Sequence, residues 1–248
     1  MRYQSILTAS AIFLASSSTF AGTMGSVEQP SWTWFGTFSA GPVWENGGKT
    51  QTFYLTPSIE KTYKSNKSNK ALFDGEIFVG LQKALSQTFQ GQLGLAVAAT
   101  NSAKLSGHIW DDADPLFDNY IYNYKIQHTH IAVKGKVLAD AGFWVMPWLS
   151  ASVGVGFNNA HGFNNTPTIF EAEQTPNFAS HTKTTYSYTL GAGVQKALNS
   201  HWQVGAGYEF ADWGKSNLGR APAQSQGSGL KLNHFYTNGV LFNITYVA

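Results

Sequence analysis

The stretch Thr237-Asn-Gly-Val-Leu-Phe-Asn-Ile-Thr-Tyr-Val-Ala248 decides the fold. Side chains of a β-strand alternate between its two faces. One face of this segment is apolar and ends in an aromatic residue; its members are Val240, Phe242, Ile244 and Tyr246. The other face is small or polar and comprises Thr237, Gly239, Asn243 and Thr245. Such a strand separates either the core of a soluble protein from water, or lipid from the lumen of a transmembrane barrel.

The N-terminal segment favours the second environment. A short apolar run, Ile6–Ala15, follows a weakly basic start, and small residues stand at Thr19 and Ala21. This is typical of a secretory signal peptide, since the run is too short to span a bilayer. The alternative is an N-terminal anchor. We predict cleavage after Ala21, which makes residues 1–21 a signal peptide and residues 22–248 a single outer-membrane β-barrel domain.

Composition points the same way. The chain has no Cys, which excludes a disulfide framework and a lipoprotein anchor, and after the signal segment no run of 18 apolar residues could form a transmembrane helix. Aromatic residues make up 15% and charged residues 12%, about half the usual charged share. A barrel with lipid on its outside tolerates so little charge. The net charge of +2 gives no indication of a basic surface for binding nucleic acid.

Short turns alternate with long polar stretches along the chain. The turns are predicted at 83–88, 138–142 and 196–201, and the long stretches at 45–70, 100–121, 158–181 and 214–231. This asymmetry is typical of bacterial outer-membrane barrels. Between them we predict eight strands: Trp32–Trp44, Leu72–Gln82, Phe89–Ala99, Tyr122–Val137, Trp148–Phe157, Thr182–Gln195, Trp202–Trp213 and Leu232–Tyr246.

Two segments are ambiguous. Residues Thr50–Ile59 have strand character and are placed in the first surface loop, where they would extend strands one and two beyond the membrane; the alternative is a ten-stranded barrel. In the fourth strand, the apolar residues Tyr122 and Tyr124 lie on the face opposite to Ile131 and Val133. A bulge or an aromatic rim above the membrane would explain that change of face.

The predicted fold is therefore all-β, an eight-stranded antiparallel up-and-down transmembrane β-barrel with four long surface loops. It resembles the small outer-membrane barrels of the OmpA, OmpX and opacity type over the whole mature chain. The pattern Thr237-x-Gly239-x-x-Phe242-x-Ile244-x-Tyr246 resembles the signal that such proteins present to the outer-membrane barrel assembly machinery. The resemblance implies a bacterial outer-membrane location, with membrane lipid and lipopolysaccharide as neighbours and an unknown external ligand for the loops.

Charged residues fall on the predicted lumen face of three strands. They are Asp74, Glu76, Lys134, Lys136 and Glu209. The interior of an eight-stranded barrel is just filled by side chains, so these charges must pair. One interpretation, which we expect, is an ionic plug with a purely structural role. The alternative is a gate in a narrow conduit.

Other polar clusters are weaker candidates. His128 and His130 share a strand face but have no evident third metal ligand, so we predict no metal and no cofactor. An acidic cluster in the second loop lacks the spacing of a calcium site and is expected to be solvated, with divalent bridging to lipopolysaccharide as the alternative. It comprises Asp111, Asp112, Asp114 and Asp118. The first and fourth loops are basic, and lipopolysaccharide is their expected neighbour; their cations are Lys49, Lys61, Lys64, Lys67, Lys70, Lys215, Arg220 and Lys231.

Enzymatic motifs are absent from the sequence. There is no His-x-Ser, Gly-x-Ser-x-Gly or phosphate-binding Gly-x-x-x-x-Gly-Lys pattern, and Ser180-His181 has no evident carboxylate partner. We therefore predict a non-enzymatic barrel with a structural and surface-interaction role. The alternative is a narrow porin-like conduit for small solutes or ions.

Overall fold

The computed structural model describes residues 31–68 and 70–248. Strands dominate it, with a single turn of 3-10 helix at Pro115–Phe117. The strands are β1 (Thr33–Glu45), β2 (Gln51–Thr56), β3 (Ile59–Ser65), β4 (Ala71–Ala84), β5 (Phe89–Thr100), β6 (Ala103–Asp111), β7 (Asp118–Ala139), β8 (Met146–Pro167), β9 (His181–Ala197), β10 (Trp202–Asp212), β11 (Ser216–Asn217), β12 (Lys231–Leu232) and β13 (Tyr236–Val247). No helix within these ranges is long and apolar enough to cross a membrane.

Eight of the strands close into an antiparallel ring. The order is β1-β4-β5-β7-β8-β9-β10-β13, and β13 returns to β1 through pairs such as Ile244 with Phe38. This confirms the predicted eight-stranded up-and-down barrel and excludes the ten-stranded alternative within the described ranges. The predicted signal peptide, residues 1–21, lies outside the described residues.

The two ends of the barrel differ as the sequence predicts. At the end that we call the turn end, residues 85–88, 140–145 and 198–201 make short connections. At the loop end the connections are long and partly folded. The predicted surface hairpin region Thr50–Ile59 lies at this loop end, as expected. It does not extend the first two barrel strands; β2 instead pairs with β3 as a separate hairpin.

The same sheet continues beyond the barrel at the loop end as an upper sheet. The hairpin β2–β3 pairs with β6, which pairs with the first half of β7, and β7 continues its pairing with β8 to Pro167. The predicted loop at 100–121 is therefore largely strand, and the one at 158–181 is strand as far as Pro167. We call this sheet, together with residues 168–180 and 213–235 that pack on it, the surface dome.

The barrel wall has a continuous apolar outside. Nearly every outward position between the two ends carries an exposed aliphatic or aromatic side chain, as the alternation predicts. Examples spread around the ring are Trp34, Phe38, Phe73, Ile77, Val79, Leu93, Leu95, Val97, Ile131, Val133, Leu149, Val153, Leu190, Val194, Tyr208, Phe242 and Ile244. We call this band the apolar belt.

Tyr122 and Tyr124 lie on the face opposite to Ile131, as the sequence indicates, but no bulge in the fourth strand itself turns them outward. In β7 every even-numbered residue from Tyr120 to Leu138 is buried, so Tyr122 and Tyr124 point inward with Lys134. The polarity of the residues on each face changes along β7, but the even-numbered residues point inward throughout. The bulge lies in the partner strand β8, where the register shifts at Gly162, whose φ of 65° is left-handed. That shift brings Phe163 to the interior.

The dome has its own hydrophobic core. Its inner members are large and almost fully buried, and include Tyr63, Leu105, Ile109, Tyr120, Tyr122, Tyr124, Ile126, Phe163, Phe178, Trp213, Leu218, Leu230, Leu232 and Phe235. The core sits directly over the open mouth of the ring. The fold thus stacks an apolar core at the loop end on a polar lumen within the barrel.

Candidate functional site: the lumen and its cap

A buried ion triad lies in the middle of the lumen. The ammonium of Lys134 on β7 donates to Glu76 Oε1 on β4 at 2.6 Å and to Glu209 Oε2 on β10 at 3.1 Å. All three side chains are less than 10% exposed. Because the partners come from strands on different sides of the ring, the triad ties the wall together across the lumen. We call it the lumen triad.

The two other predicted lumen charges lie nearby but bond elsewhere. Asp74 is buried one inward position beyond Glu76 on β4 and forms no ion pair with a described residue. Lys136 donates to the amide oxygen of Gln195 on β9, and its ammonium lies 4.6 Å from the centre of the Trp148 ring. The structure therefore brings three of the five predicted charges into one ion cluster and places the remaining two beside it.

Amide and hydroxyl side chains fill the lumen toward the turn end. Gln195 donates to the oxygens of Gln203 and Thr245, and Thr245 bonds the hydroxyl of Thr37 on β1 at 2.8 Å. On the other side of the ring, Gln92 donates to Gln82 at 2.7 Å. Each bond joins neighbouring or facing strands, so this layer also closes the lumen.

Aromatic rings complete the filling of the lower lumen. Phe35 and Phe78 pack edge to face with centroids 4.8 Å apart, and both are buried. The indole of Trp148 lies across β9 and β10 where Gly193 and Gly207 leave space. A Cβ at Gly207 would approach Trp148 Cζ2 to 2.3 Å. Glycine is therefore required at Gly207 by a close approach in the packed interior.

Trp213 closes the lumen toward the loop end. It is fully buried, and its indole nitrogen donates to Thr237 Oγ1 at 2.8 Å. Its ring centroid lies 4.0 Å from that of His128 and 4.8 Å from that of His130. The two imidazoles are thus packed against an indole, and His128 also bonds the amide oxygen of Asn158.

Nothing in the geometry gathers a metal centre. Within residues 31–68 and 70–248, no three His, Cys, Asp or Glu side chains converge as metal ligands. The cavity inside the barrel beside Lys134 has a volume of about 20 Å³. A single water needs roughly 10 to 15 Å³ of such space, so this cavity holds about one water and no solute.

The acidic cluster of the second loop is divided among separate partners. Asp111 pairs with the buried Lys61 at 2.6 Å, and Asp118 pairs with His108 at 3.0 Å. Asp114 caps the 3-10 turn by accepting from the backbone of Leu116 at 2.9 Å. These carboxylates therefore stabilise the dome sheet and its loop; Asp112 and Asp118 are exposed, as expected for a solvated loop, whereas Asp111 and Asp114 are half-buried.

The basic residues of the first and fourth loops are also dispersed. Lys61 points into the dome, where its ammonium lies 4.8 Å from the Tyr120 ring centre, and Lys64 covers the ring of Trp110 at 5.2 Å. Arg220 donates to the carbonyl of Gly227 at 2.6 Å. Lys61, Lys64 and Arg220 are therefore held by contacts within the dome, whereas Lys67 and Lys70 line a common cleft.

Aromatic rings pack against one another throughout the dome core. Tyr63 stacks on Phe53 at 5.2 Å and packs edge to face on Tyr122 at 5.7 Å. Phe163 and Phe178 extend the cluster from β8 and the following loop. Burial raises the pKa of the Tyr63 hydroxyl above its usual range, with Tyr122 and Asp111 adding to the rise, so the phenol stays neutral.

A carboxylate–histidine pair lies at the rim, where the His234 side chain is exposed and Asp212 is buried. Asp212 Oδ2 lies 2.9 Å from His234 Nδ1, and the imidazole stacks on Tyr236 with centroids 5.3 Å apart. Among the described residues, no Ser or Thr hydroxyl hydrogen-bonds to this imidazole. Ser180 and His181 are exposed neighbours at the start of β9. Neither arrangement assembles a nucleophile with its base.

The residues of the predicted assembly signal lie on both faces of β13. Phe242, Ile244 and Tyr246 project into the apolar belt, and Gly239 faces the interior. A Cβ at Gly239 would lie 2.2 Å from the carbonyl oxygen of Pro42, so close strand packing explains this glycine. Their contacts are those of an ordinary wall strand, and the signal stays a prediction.

Sequence reasoning missed the cap. Alternation predicts Trp213 only as the end of the seventh strand, although its odd number places it on the lumen parity of Glu209. The dome core was read as loop because Tyr63 and Phe178 lie in polar stretches. Their clustering depends on pairings between β3, β6 and β7 that are distant in sequence.

Comparisons with known proteins return structures of similar shape. No family model matches the chain, and no curated protein matches it. Neisserial surface protein A (NspA) is 12% identical with a TM-score of 0.44, covering 88% of this chain and 99% of its own. The outer membrane protease OmpT from Escherichia coli is 8% identical with a TM-score of 0.47, covering 90% and 100%.

A third similar structure is Ail, the attachment invasion locus protein of Yersinia pestis. It is 13% identical with a TM-score of 0.33, covering 89% of this chain and 99% of its own. Since identities and TM-scores are this low, the fold assignment rests on the closed strand pairing of this chain itself.

Proposed function

We propose that this protein is a non-enzymatic outer-membrane β-barrel whose lumen is a structural plug and whose dome is a surface for interaction. The supporting observation is an inversion of the usual polarity of a soluble protein. The outside of the wall is apolar all round, while the buried interior holds the lumen triad and a layer of glutamines. A closed ring also leaves no unpaired strand edge, which is what a strand protein needs in lipid.

The filled lumen supports a structural role rather than a conduit. Three successive layers close it: the Phe35–Phe78 pair with the glutamines, the lumen triad, and Trp213 beneath the dome core. A solute would have to displace all three. The cavity left beside Lys134, about 20 Å³, is too small for a continuous wet path.

The location is tested by fractionation and folding state. We expect the mature protein in the outer membrane, and we expect folded protein to migrate differently from boiled protein on SDS gels because a closed ring resists unravelling. Recovery of the mature protein in the periplasm as a soluble species would contradict the membrane proposal.

The plug is tested by conductance in planar bilayers. The refolded protein should show conductance near zero, and Lys134→Ala should leave it near zero because the layers above and below still close the lumen. A reproducible rise in single-channel conductance in folded Lys134→Ala or Glu209→Ala would instead support a gated conduit. A porin reconstituted in the same membranes serves as the positive control.

We further propose that β13 is read by the barrel assembly machinery. The support is the outward row Phe242, Ile244 and Tyr246 on the strand that closes the ring. Phe242→Ala with Tyr246→Ala should lower the outer-membrane level in pulse-labelled cells. The matched control is Phe38→Ala with Trp34→Ala, which removes comparable belt aromatics from the partner strand β1. Equal loss in both pairs would show that β13 acts only as lipid-facing wall.

A further inference from the structure

A row of basic side chains crosses three neighbouring strands on the outside of the dome base. Lys104 on β6 lies directly opposite Lys125 on β7, and Lys125 lies directly opposite His161 on β8. All three project outward, because the positions beside them, Ala103, Ile126 and Ala160, are fully buried. Opposed residues of adjacent strands have Cβ atoms roughly 4.5 to 5.5 Å apart, so the row is compact.

This row lacks internal neutralisation. Like charges placed directly opposite each other on a sheet are destabilising. In the part of the chain that the structure describes, no carboxylate lies within 4.0 Å of the ammonium of Lys104 or Lys125. Lys61, on a neighbouring strand, has such a partner in Asp111. The row therefore keeps an uncompensated positive charge that an anion from outside the chain would relieve.

A cleft adjoins the row on the side of β6. Its volume is about 330 Å³, and it is lined by Lys104 with Lys67, Lys70, Ser106 and Asn123 among others. Two more ammonium groups and several hydrogen-bond donors thus share the wall that carries Lys104. This combination of cations and neutral polar groups suits a phosphate held on a sugar rather than a bare hydrocarbon.

The height of the row above the apolar belt indicates which kind of partner it can contact. On the outward face of β7 the belt ends at Ile131, and the outward residues above it are Thr129, Gln127 and then Lys125. On β8 the aromatic Phe157 pairs with Thr129, so Lys125 stands two outward positions above the last apolar contact. At about 3.4 Å per residue along a tilted strand, this places its ammonium roughly 10 Å above the belt, in the headgroup layer.

We propose that Lys104, Lys125 and His161, with the cleft beside them, bind the phosphorylated sugar headgroup of an outer-leaflet glycolipid. The inference rests on the outer-membrane location proposed above. It assigns lipopolysaccharide to a site centred on β6, β7 and β8, to which the first loop adds Lys67 and Lys70 through the cleft. The lipid's phosphate takes the place of the missing carboxylate between the opposed lysines.

The test uses the folded full-length mature barrel in detergent micelles, titrated with a deep-rough lipopolysaccharide that carries lipid A phosphates. The site variant is Lys104→Gln with Lys125→Gln. We expect at least a tenfold weaker affinity in the site variant, and a similar loss when the wild type is titrated with the same glycolipid after dephosphorylation. Binding to the wild type should weaken with added salt, because the contact is electrostatic.

The matched control is Lys215→Gln with Lys231→Gln, which removes the same net charge from exposed positions in the fourth loop. Its affinity should stay within twofold of the wild type. Equal losses of affinity in the site and control variants would show that binding depends only on net charge, which would overturn the proposal. Undiminished binding of the dephosphorylated glycolipid would overturn it as well.

Stability provides an independent readout. Without glycolipid, the site variant should unfold at an equal or higher denaturant concentration than the wild type, since a like-charge pair has been removed. With glycolipid, the order should reverse. If a soluble sulfated oligosaccharide stabilises the wild type and the glycolipid does not, the site serves a soluble glycan and the lipid assignment fails. Fractionation of the same variants tests the outer-membrane location separately.

Discussion

The lower and upper halves of β7 carry opposite chemistry on the same two faces. In the lower half the outward residues Ile131 and Val133 are apolar, while Lys134 points inward. In the upper half the outward residues Asn123 and Lys125 are polar, while Tyr124 points inward. The alternation of the strand never breaks between them. One continuous strand therefore runs from the barrel wall, which is apolar outside and polar inside, into the dome, which is polar outside and apolar inside like a soluble protein.

The inversion indicates where the surrounding medium changes. Lipid cannot satisfy a polar group, so polar side chains turn to the lumen and must pair there. Water tolerates polar side chains outside, so the dome can bury aromatics as any soluble domain does. The switch occurs near Thr129 and Gln127, which we take as the upper boundary of the apolar belt. Predictions about the two halves can break or sharpen this reading.

The largest expected effect comes from the lumen triad. Lys134→Ala leaves Glu76 and Glu209 buried without their cation, and removing one partner of a buried pair costs roughly 3 to 5 kcal/mol. Urea unfolding of the refolded barrel, followed by loss of the heat-modifiable band, measures this. The control on the same strand is Lys125→Ala, an exposed lysine that makes no ion pair with a described residue. A comparable loss in both variants would mean that the lumen is wet.

The next effect tests the boundary directly. Val133→Arg places a charge within the outward row Ile131–Val137 of the apolar belt, below its upper boundary, and should cost about 2 to 4 kcal/mol, as for a charge near the midplane. Gln127→Arg makes the same addition on the same face of the same strand, but above the boundary, and should cost about 0 to 1 kcal/mol. Both are measured by equilibrium unfolding in lipid vesicles. Equal costs would place the boundary elsewhere on β7.

A third change addresses the dome core alone. Leu105 on β6 is 1% exposed within the core, and Leu105→Ala should remove about 2 to 3 kcal/mol of local stability. Limited proteolysis of folded protein should cut the dome faster while the barrel keeps its heat-modifiable migration. Leu116 is 88% exposed, so Leu116→Ala serves as the control. Simultaneous loss of dome and barrel would show that the two halves unfold as one unit.

Much of the wall was predictable from the sequence because lipid imposes a period of two along each strand. Outward Leu190 and inward Glu209 follow from alternation alone, and short turns fix which strands are neighbours. The same alternation identified Glu76 and Lys134 as lumen residues. It could not decide which charges pair, because the stagger of the ring sets which residues face each other across the lumen.

The dome was not predictable in the same way. Its outer surface faces water and its interior is apolar. In the sequence, its strands therefore resemble polar loops with scattered aromatic residues. Tyr63 and Phe178 become core residues only through the long-range pairing of β3 with β6 and the return of the loop after β8. The burial of Trp213 was not predictable for a related reason, because it depends on the dome that covers this residue.

The smallest expected effect concerns the bulge that keeps β8 in step with the dome. Gly162 has a φ of 65°, and a Cβ there would meet nothing within 4 Å, so Gly162→Ala tests backbone conformation without a steric clash. A non-glycine residue in that conformation costs about 1 kcal/mol. Gly135→Ala on β7 is the control, since its φ is ordinary and its Cβ would meet only the Gln92 carbonyl at 4.0 Å. Proteolysis of the dome should quicken in Gly162→Ala alone. Because the bulge turns Phe163 inward, an unchanged rate would mean that the aromatic core, and not the glycine, sets the register of β8.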